Sequence, residues 1–221
     1  MTHESFYKGP DRLIILINQR HLDESGHVHF KIYPEIFEGA RSQWMREKEI
    51  RGRVTKMDIK YKFPVYVGDA TCFMTTSQVS NMLTFNQKIS QGGNTTTESH
   101  LTLALLPEGK LPNEEENINY KEYPKNFEDA RVAFMGKRGV NLAELANDGL
   151  YGLVTTMNLI YASQLQRGRD MSITTNVSHK NLRVIFDQEV ANAGIQSHLE
   201  MILINSEGKP QRIPPALAQN L

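Results

Sequence analysis

The sequence predicts an α+β chain made of two copies of one unit, each a helix followed by antiparallel strands. Two observations carry this. First, Lys31 to Lys48 and Lys121 to Arg138 share eight identities over 18 positions, where random pairing gives roughly one. The recurring residues are Lys31, Tyr33, Pro34, Phe37, Glu38, Ala40, Arg41 and Met45. Second, each half reads as a helical apolar stripe followed by strand-like segments. The match continues in the same order downstream. Met57 and Tyr61 recur as Met157 and Tyr161, Phe85-Asn86-Gln87 as Phe186-Asp187-Gln188, and Ser99-His100-Leu101 as Ser197-His198-Leu199. The offset rises from 90 to 100, which places about ten extra residues in the second copy around Asn141–Tyr151.

In chain order, Arg12–Leu22 reads as a leading strand found in the first copy alone. Next comes a helix on which Phe37, Ala40, Trp44 and Met45 form one apolar stripe. Phe127, Ala130, Phe134 and Met135 repeat it, at the i, i+3, i+7, i+8 spacing of a helix face. Pro34 and Pro124 suit a first helical turn, where a missing N–H costs nothing. Glu38 and Glu128 lie toward the positive end of the helix dipole. Strands are expected at Met57–Tyr66, Ala70–Thr76, Met82–Ile89 and Ser99–Leu106, then at Met157–Leu165, Met171–Val177, Leu182–Val190 and Ser197–Ile204. Turn chemistry at Pro107-Glu-Gly and Ser206-Glu-Gly closes each set. The boundary is expected near Pro112–Glu116, giving repeats 1–112 and 113–221.

Composition bounds the function. With 25 basic and 25 acidic residues the net charge is zero, which argues against a general nucleic-acid binder. Apolar runs such as Leu13–Ile17 are too short to span a bilayer. Met1 to Pro10 lacks the basic-then-apolar pattern of a secretory signal. A single cysteine, Cys72, cannot form an internal disulfide and suits a reducing, cytoplasmic setting.

Asp23-Glu-Ser-Gly26-His27-Val28-His29-Phe30-Lys31-Ile32-Tyr33, running on to Glu38-Gly-Ala40-Arg41, resembles a known helix-entry motif. It is that of the hotdog-fold acyl-CoA thioesterases of the 4-hydroxybenzoyl-CoA type, D-x-x-G-x-V-x-x-x-x-Y-x-x-x-x-E-x-A-R. Tyr61-Lys-Phe-Pro64 followed by Gly68-Asp69 resembles the family's strand and turn. The resemblance implies a double hotdog: two antiparallel sheets, each wrapped around a helix, joined into one continuous sheet. It implies hydrolysis of an acyl thioester of coenzyme A or acyl carrier protein to a free acid, in lipid metabolism. No cofactor or metal is implied, and the resemblance carries the expectation that double-hotdog units assemble further as homo-oligomers.

The resemblance also assigns roles. Asp23 is the nucleophile or general base, with His27 and His29 as catalytic companions able to orient it or the substrate. Gly26 lets the loop approach the substrate, a backbone N–H near Phe30 polarises the thioester carbonyl, and Tyr33 belongs to the substrate-binding set. Read without the family, Asp23 is a loop carboxylate making an Asx-turn, and the histidines are loop residues partly packed on the helix. No third ligand at suitable spacing makes them a metal site. In the second copy, Asn113, Glu116, Asn117 and Asn119 stand opposite Asp23, Gly26, His27 and His29. An amide cannot act as base, so one active site is expected rather than two, unless Glu114, Glu115 or Glu116 substitutes through a shifted loop.

Cys72 reads as buried packing, and the duplicated His100 and His198 as structural. The run Arg46, Lys48, Arg51, Arg53, Lys56, Lys60 and Lys62 reads as a solvated surface, or as a dock for coenzyme A phosphates or an acidic carrier. A catalytically silent hotdog binding acyl groups or a partner is the rival from another class. A hydratase or dehydratase ranks lower, because the Asp-x-Asn/Ser-Pro-x-His pattern is absent.

Overall fold

The computed structural model describes residues 11–23, 26–106, 122–161, 171–191 and 193–221. The chain divides into two compact units, Met1–Lys121 and Glu122–Leu221. The expected boundary at 112/113 lies outside the described residues.

In the first unit, strand β1 (Asp11–Ile17) precedes helix α1 (Tyr33–Glu47). Strands β2 (Gly52–Tyr61), β3 (Gly68–Val79), β4 (Met82–Gln91) and β5 (Asn94–Leu105) follow. They pair antiparallel in the order β1-β3-β4-β5-β2. The leading strand is shorter than expected and ends at Ile17. Asn18 donates its N–H to His21 Nδ1 at 3.3 Å and opens a tight 3-10 turn over Gln19–His21. That turn redirects the chain toward the helix. Pro34 stands in the first turn of α1 as expected.

Helix α1 buries Tyr33, Pro34, Phe37, Ala40, Arg41 and Trp44. The inner sheet face answers with Met57, Ile59, Leu83, Phe85, Ile89, Leu101 and Leu103. Trp44 meets Phe85 edge-on at 5.4 Å between ring centroids. Fully burying one such aromatic contributes about 2–3 kcal/mol, so this face, rather than helix propensity, holds α1 in place.

The second unit follows the same plan. Helix α2 (Glu122–Lys137) precedes a short helix α3 (Leu142–Asn147). Strands β6 (Tyr151–Tyr161), β7 (Ile173–Lys180), β8 (Arg183–Val190) and β9 (Ile195–Ile204) come next. They pair in the order β6-β9-β8-β7. A two-residue strand β10 (Pro210–Gln211) adds to β9, and helix α4 (Pro215–Ala218) ends the chain. Helix α3 falls in the ten residues that the offset placed as an insertion. The pattern shows no helix there because its six residues are too few to display a period.

Each unit is thus a helix cradled by an antiparallel sheet, the hotdog arrangement. Small irregularities recur between them. The register slips between Val54 and Lys56 and again between Val154 and Thr156. At the slip, Thr55 and Thr155 each donate a hydroxyl to a backbone carbonyl of the neighbouring strand. The β3–β4 and β7–β8 hairpins both turn through a left-handed residue, Ser80 (φ 54°) and Asn181 (φ 57°).

Candidate functional site

The segment between β1 and α1 is held by local bonds and by contacts from the end of β2 and the loop that follows it. Leu22 and Val28 form a single antiparallel bridge. Inside it, Asp23 donates its N–H to the His27 carbonyl at 2.7 Å, and Gly26 donates to the Asp23 carbonyl at 3.0 Å. The Asp23 carboxylate accepts the His27 N–H through Oδ1 at 3.1 Å. This bond spans four residues rather than the two of an Asx-turn, and it fixes the direction of the carboxylate. Gly26 sits at φ +79°, which an L side chain adopts only with strain, and nothing lies within 4 Å of where its Cβ would be. Glycine is needed here for its backbone freedom, and the space beside it is open.

Beyond the loop, His29 donates its N–H to the His21 carbonyl at 2.9 Å and caps a short 3-10 turn, Phe30–Ile32. His29 Nδ1 accepts the Lys31 N–H at 3.4 Å. That turn leads directly into α1, so Asp23, Gly26, His27, His29 and Phe30 all stand at the helix entry. The Phe30 carbonyl accepts the Tyr61 hydroxyl at 3.2 Å, which ties this entry to the end of β2.

Tyr33 is placed differently. It is 3 % exposed, stacks edge-on against Tyr61 at 5.1 Å, and turns its hydroxyl toward Thr97 and the Val65 backbone. Burial pushes this phenol up to about 12; the polar groups of Thr97 and the Val65 backbone nearby oppose the shift, and the Asp23 charge adds to it. Tyr33 is thus a buried neighbour of Asp23 that braces the loop from beneath.

Three further residues belong to this neighbourhood. His21 receives His29 through its carbonyl and Asn18 through its ring. Tyr66 meets the His27 ring edge-on at 5.1 Å, and Tyr61 braces Phe30. His21 stands two residues before Asp23, a signal available in the sequence. Tyr66 comes from a distant loop, and only folding brings it in. Among the described residues no three His, Cys, Asp or Glu side chains are arranged to hold a metal ion.

Beneath the entry each helix is locked by the same buried polar clamp. Arg41 donates to Gln87 Oε1 at 2.6 Å, and Gln87 donates to the Phe37 carbonyl at 2.9 Å. Arg131 donates to Gln188 Oε1 at 2.7 Å, and Gln188 to the Phe127 carbonyl at 2.9 Å. Arg41 also reaches Glu38 at 3.0 Å. Cys72 lies in this core, 1 % exposed, with burial raising its thiol to about 11 against the opposing pull of Arg41 and Gln87. A thiol held protonated is a poor nucleophile, consistent with packing as its role.

The duplicated histidines lie on the outer sheet faces. His100 bonds the Asn86 side chain, and His198 bonds Asp187 at 2.7 Å. The basic run separates into two groups. Arg46, Lys48, Arg51 and Arg53 stand where α1 ends and β2 begins; Lys56 lies between, bridged to Asp58 at 2.9 Å, and Lys60 and Lys62 stand at the Tyr61 end. Ten residues of strand span about 33 Å, so only the latter pair adjoins the Asp23 loop. Lys62 is bridged to Glu98 at 2.8 Å, which holds that carboxyl below its ordinary range.

Known structures share this fold. An acyl-ACP thioesterase from Bacteroides thetaiotaomicron superposes with a TM-score of 0.64 over 88% of this chain and 98% of its own, at 8% identity. A provisionally named oleoyl thioesterase from Lactobacillus plantarum gives 0.68 over 93% and 98%, at 10% identity. The 12:0-ACP thioesterase from Umbellularia californica gives 0.62 over 88% and 94%, at 9% identity. No protein-family profile matches the sequence, and no curated protein matches it. At these identities the likeness establishes the fold, a double hotdog.

Proposed function

We propose that this chain is an acyl thioester hydrolase that releases a free carboxylic acid from acyl-coenzyme A or acyl carrier protein. We further propose that it arose by tandem duplication and works through one site, in the first repeat. The observation that carries the reading is the Asp23 loop. A carboxylate oriented by the His27 N–H, beside an open glycine, stands where the chain enters a long helix. Neighbours of the same fold are named as acyl thioesterases, which supports the substrate class.

The chemistry asks for two things at one place. A base must take a proton from water as its oxygen bonds the acyl carbon, or the carboxylate must attack that carbon directly. Backbone donors must meet the negative charge that develops on the carbonyl oxygen. The C–S bond then breaks. On the general-base route the thiolate takes up the proton that Asp23 accepted; on the nucleophilic route water hydrolyses the Asp23–acyl anhydride to the free acid, restoring the carboxylate and giving the thiolate its proton. Asp23 supplies the first, and the Phe30 turn at the positive end of α1 supplies the second. His27 and His29 flank this path and set the orientation of carboxylate and substrate. Gly26 leaves room for the thioester, and Tyr33 holds the floor.

A panel of acyl-coenzyme A and acyl carrier protein thioesters tests this. The native chain is expected to turn over at least one of them, and Asp23→Ala to lower kcat by about 10²- to 10⁴-fold. Wild-type turnover in that variant rejects Asp23 as the catalytic group. The rival, a silent acyl-binding hotdog, draws on the Asp23 carboxylate being engaged in its own loop. Saturable ligand binding with no turnover across the panel would favour it.

A further inference from the structure

We propose that the segment Lys60–Val67 docks this protein onto anionic lipid surfaces. The proposal goes beyond thioester hydrolysis and does not depend on it. Phe63, Tyr66 and Val67 are 60 %, 51 % and 53 % exposed. Nine large apolar side chains stand exposed among the described residues, and three of them fall within these five positions. Exposed singly, such residues mean little; gathered on one loop, they mark a contact surface.

The exposure is built in. Lys62 and Phe63 both donate their N–H to the Thr96 carbonyl, at 2.8 and 3.1 Å. Val65 is fully buried and its carbonyl accepts the Val28 N–H at 2.9 Å. The Gln91 side chain grips Tyr66 twice, accepting its N–H and donating to its carbonyl, each at 2.9 Å. Val65 thus pins the loop from within while Phe63, Tyr66 and Val67 point out on either side of it.

Charge selects the occupant. From Lys60 to Val67 there are two lysines and no acidic residue. Glu98 bridges Lys62 and Lys88, so Lys60, Lys62 and Lys88 together face Glu98 and the nearby Asp69 and leave a net positive charge. Aromatic rings beside lysines suit the headgroup boundary of a bilayer: the rings enter, and the lysine stems keep their charge among anionic headgroups. An acidic protein partner would be met by charge at a polar rim, and here apolar tips outnumber cations. Through the Tyr66–His27 ring contact, a surface bound at this loop lies beside Asp23.

Flotation of the full chain with phosphatidylcholine vesicles, with and without phosphatidylglycerol, tests the proposal. Binding is expected with phosphatidylglycerol and is expected to weaken with added salt. The combined substitutions Phe63→Ser, Tyr66→Ser and Val67→Ser should weaken it at least about tenfold, with an unchanged circular dichroism spectrum. Phe63→Trp reads the same event without depending on that variant's folding. The native Trp44 is buried, so a blue shift on adding anionic vesicles would come from position 63. No binding by the native chain, no shift at position 63, or undiminished binding by the triple variant overturns the proposal. So does a loop that serves only to join two copies of the chain, or only to hold a soluble acidic carrier protein.

Discussion

Helices α1 and α2 are anchored alike but entered differently. Arg41 and Gln87 hold the Phe37 carbonyl as Arg131 and Gln188 hold that of Phe127. Tyr33 and Tyr123 are both 3 % exposed, and each meets a tyrosine edge-on, Tyr61 or Tyr161. The approach to α1 carries Asp23, Gly26, His27 and His29, whereas the aligned positions before α2 carry Asn113, Glu116, Asn117 and Asn119. Those second-copy positions lie outside the described residues, so the contrast there is one of chemistry. The anchor of the helix recurs in both units, whereas the position aligned with the Asp23 carboxylate holds the amide Asn113.

The shared anchor can be broken in either unit. Arg41→Ala removes the donor from a buried amide oxygen and leaves a void, and is expected to cost about 3 kcal/mol. Arg131→Ala should cost somewhat less, about 2 kcal/mol, because Arg131 is 7 % exposed against 2 % for Arg41. Denaturant midpoints check this, and losses well under 1 kcal/mol in both would show that the clamp is incidental.

A gentler comparison uses two glycines. Gly26 and Gly139 sit at φ +79° and +74°, and neither has an atom within 4 Å of an added Cβ. Alanine at either place should therefore cost only the left-handed strain, about 1–2 kcal/mol. Thioester turnover should fall with Gly26→Ala and hold with Gly139→Ala. Equal activities would mean that the Asp23 loop plays no part in the chemistry.

The smallest effect lies at alkaline pH and is assigned to the first unit. Tyr33 is raised from 10.0 to about 12 and Cys72 from 9.0 to about 11. The folded chain binds these protons more tightly than the unfolded chain. Their contribution is therefore full below the unfolded values and is lost as pH rises through the folded ones. Stability should decline across pH 9–12, and Tyr33→Phe with Cys72→Ala should flatten that decline. An unchanged slope would mean that these two groups do not set it.

Much of the fold is legible in the sequence because the same pattern appears in both halves. The stripe of Phe37, Ala40 and Trp44, the proline at the first helical turn and the alternation along Leu83, Phe85, Gln87 and Ile89 are local patterns. The end of β1 at Ile17 is not, since it depends on Asn18 meeting the His21 ring. The clamp was half visible: Arg41 and Gln87 recur with their partners, yet 46 residues separate them, and nothing local says that they meet. The candidate site is legible as a motif. Its geometry adds what the motif lacks, namely Tyr66 against His27, Tyr61 against Phe30 and Tyr33 as a buried floor.

The central claim is that one half carries the chemistry. Steady-state turnover of Asp23→Asn and Asn113→Ala, measured side by side on a thioester that the native chain hydrolyses, tests it most directly. The account predicts near-complete loss in the first and native turnover in the second. Retained turnover in Asp23→Asn, or loss in Asn113→Ala with the fold intact, would contradict it.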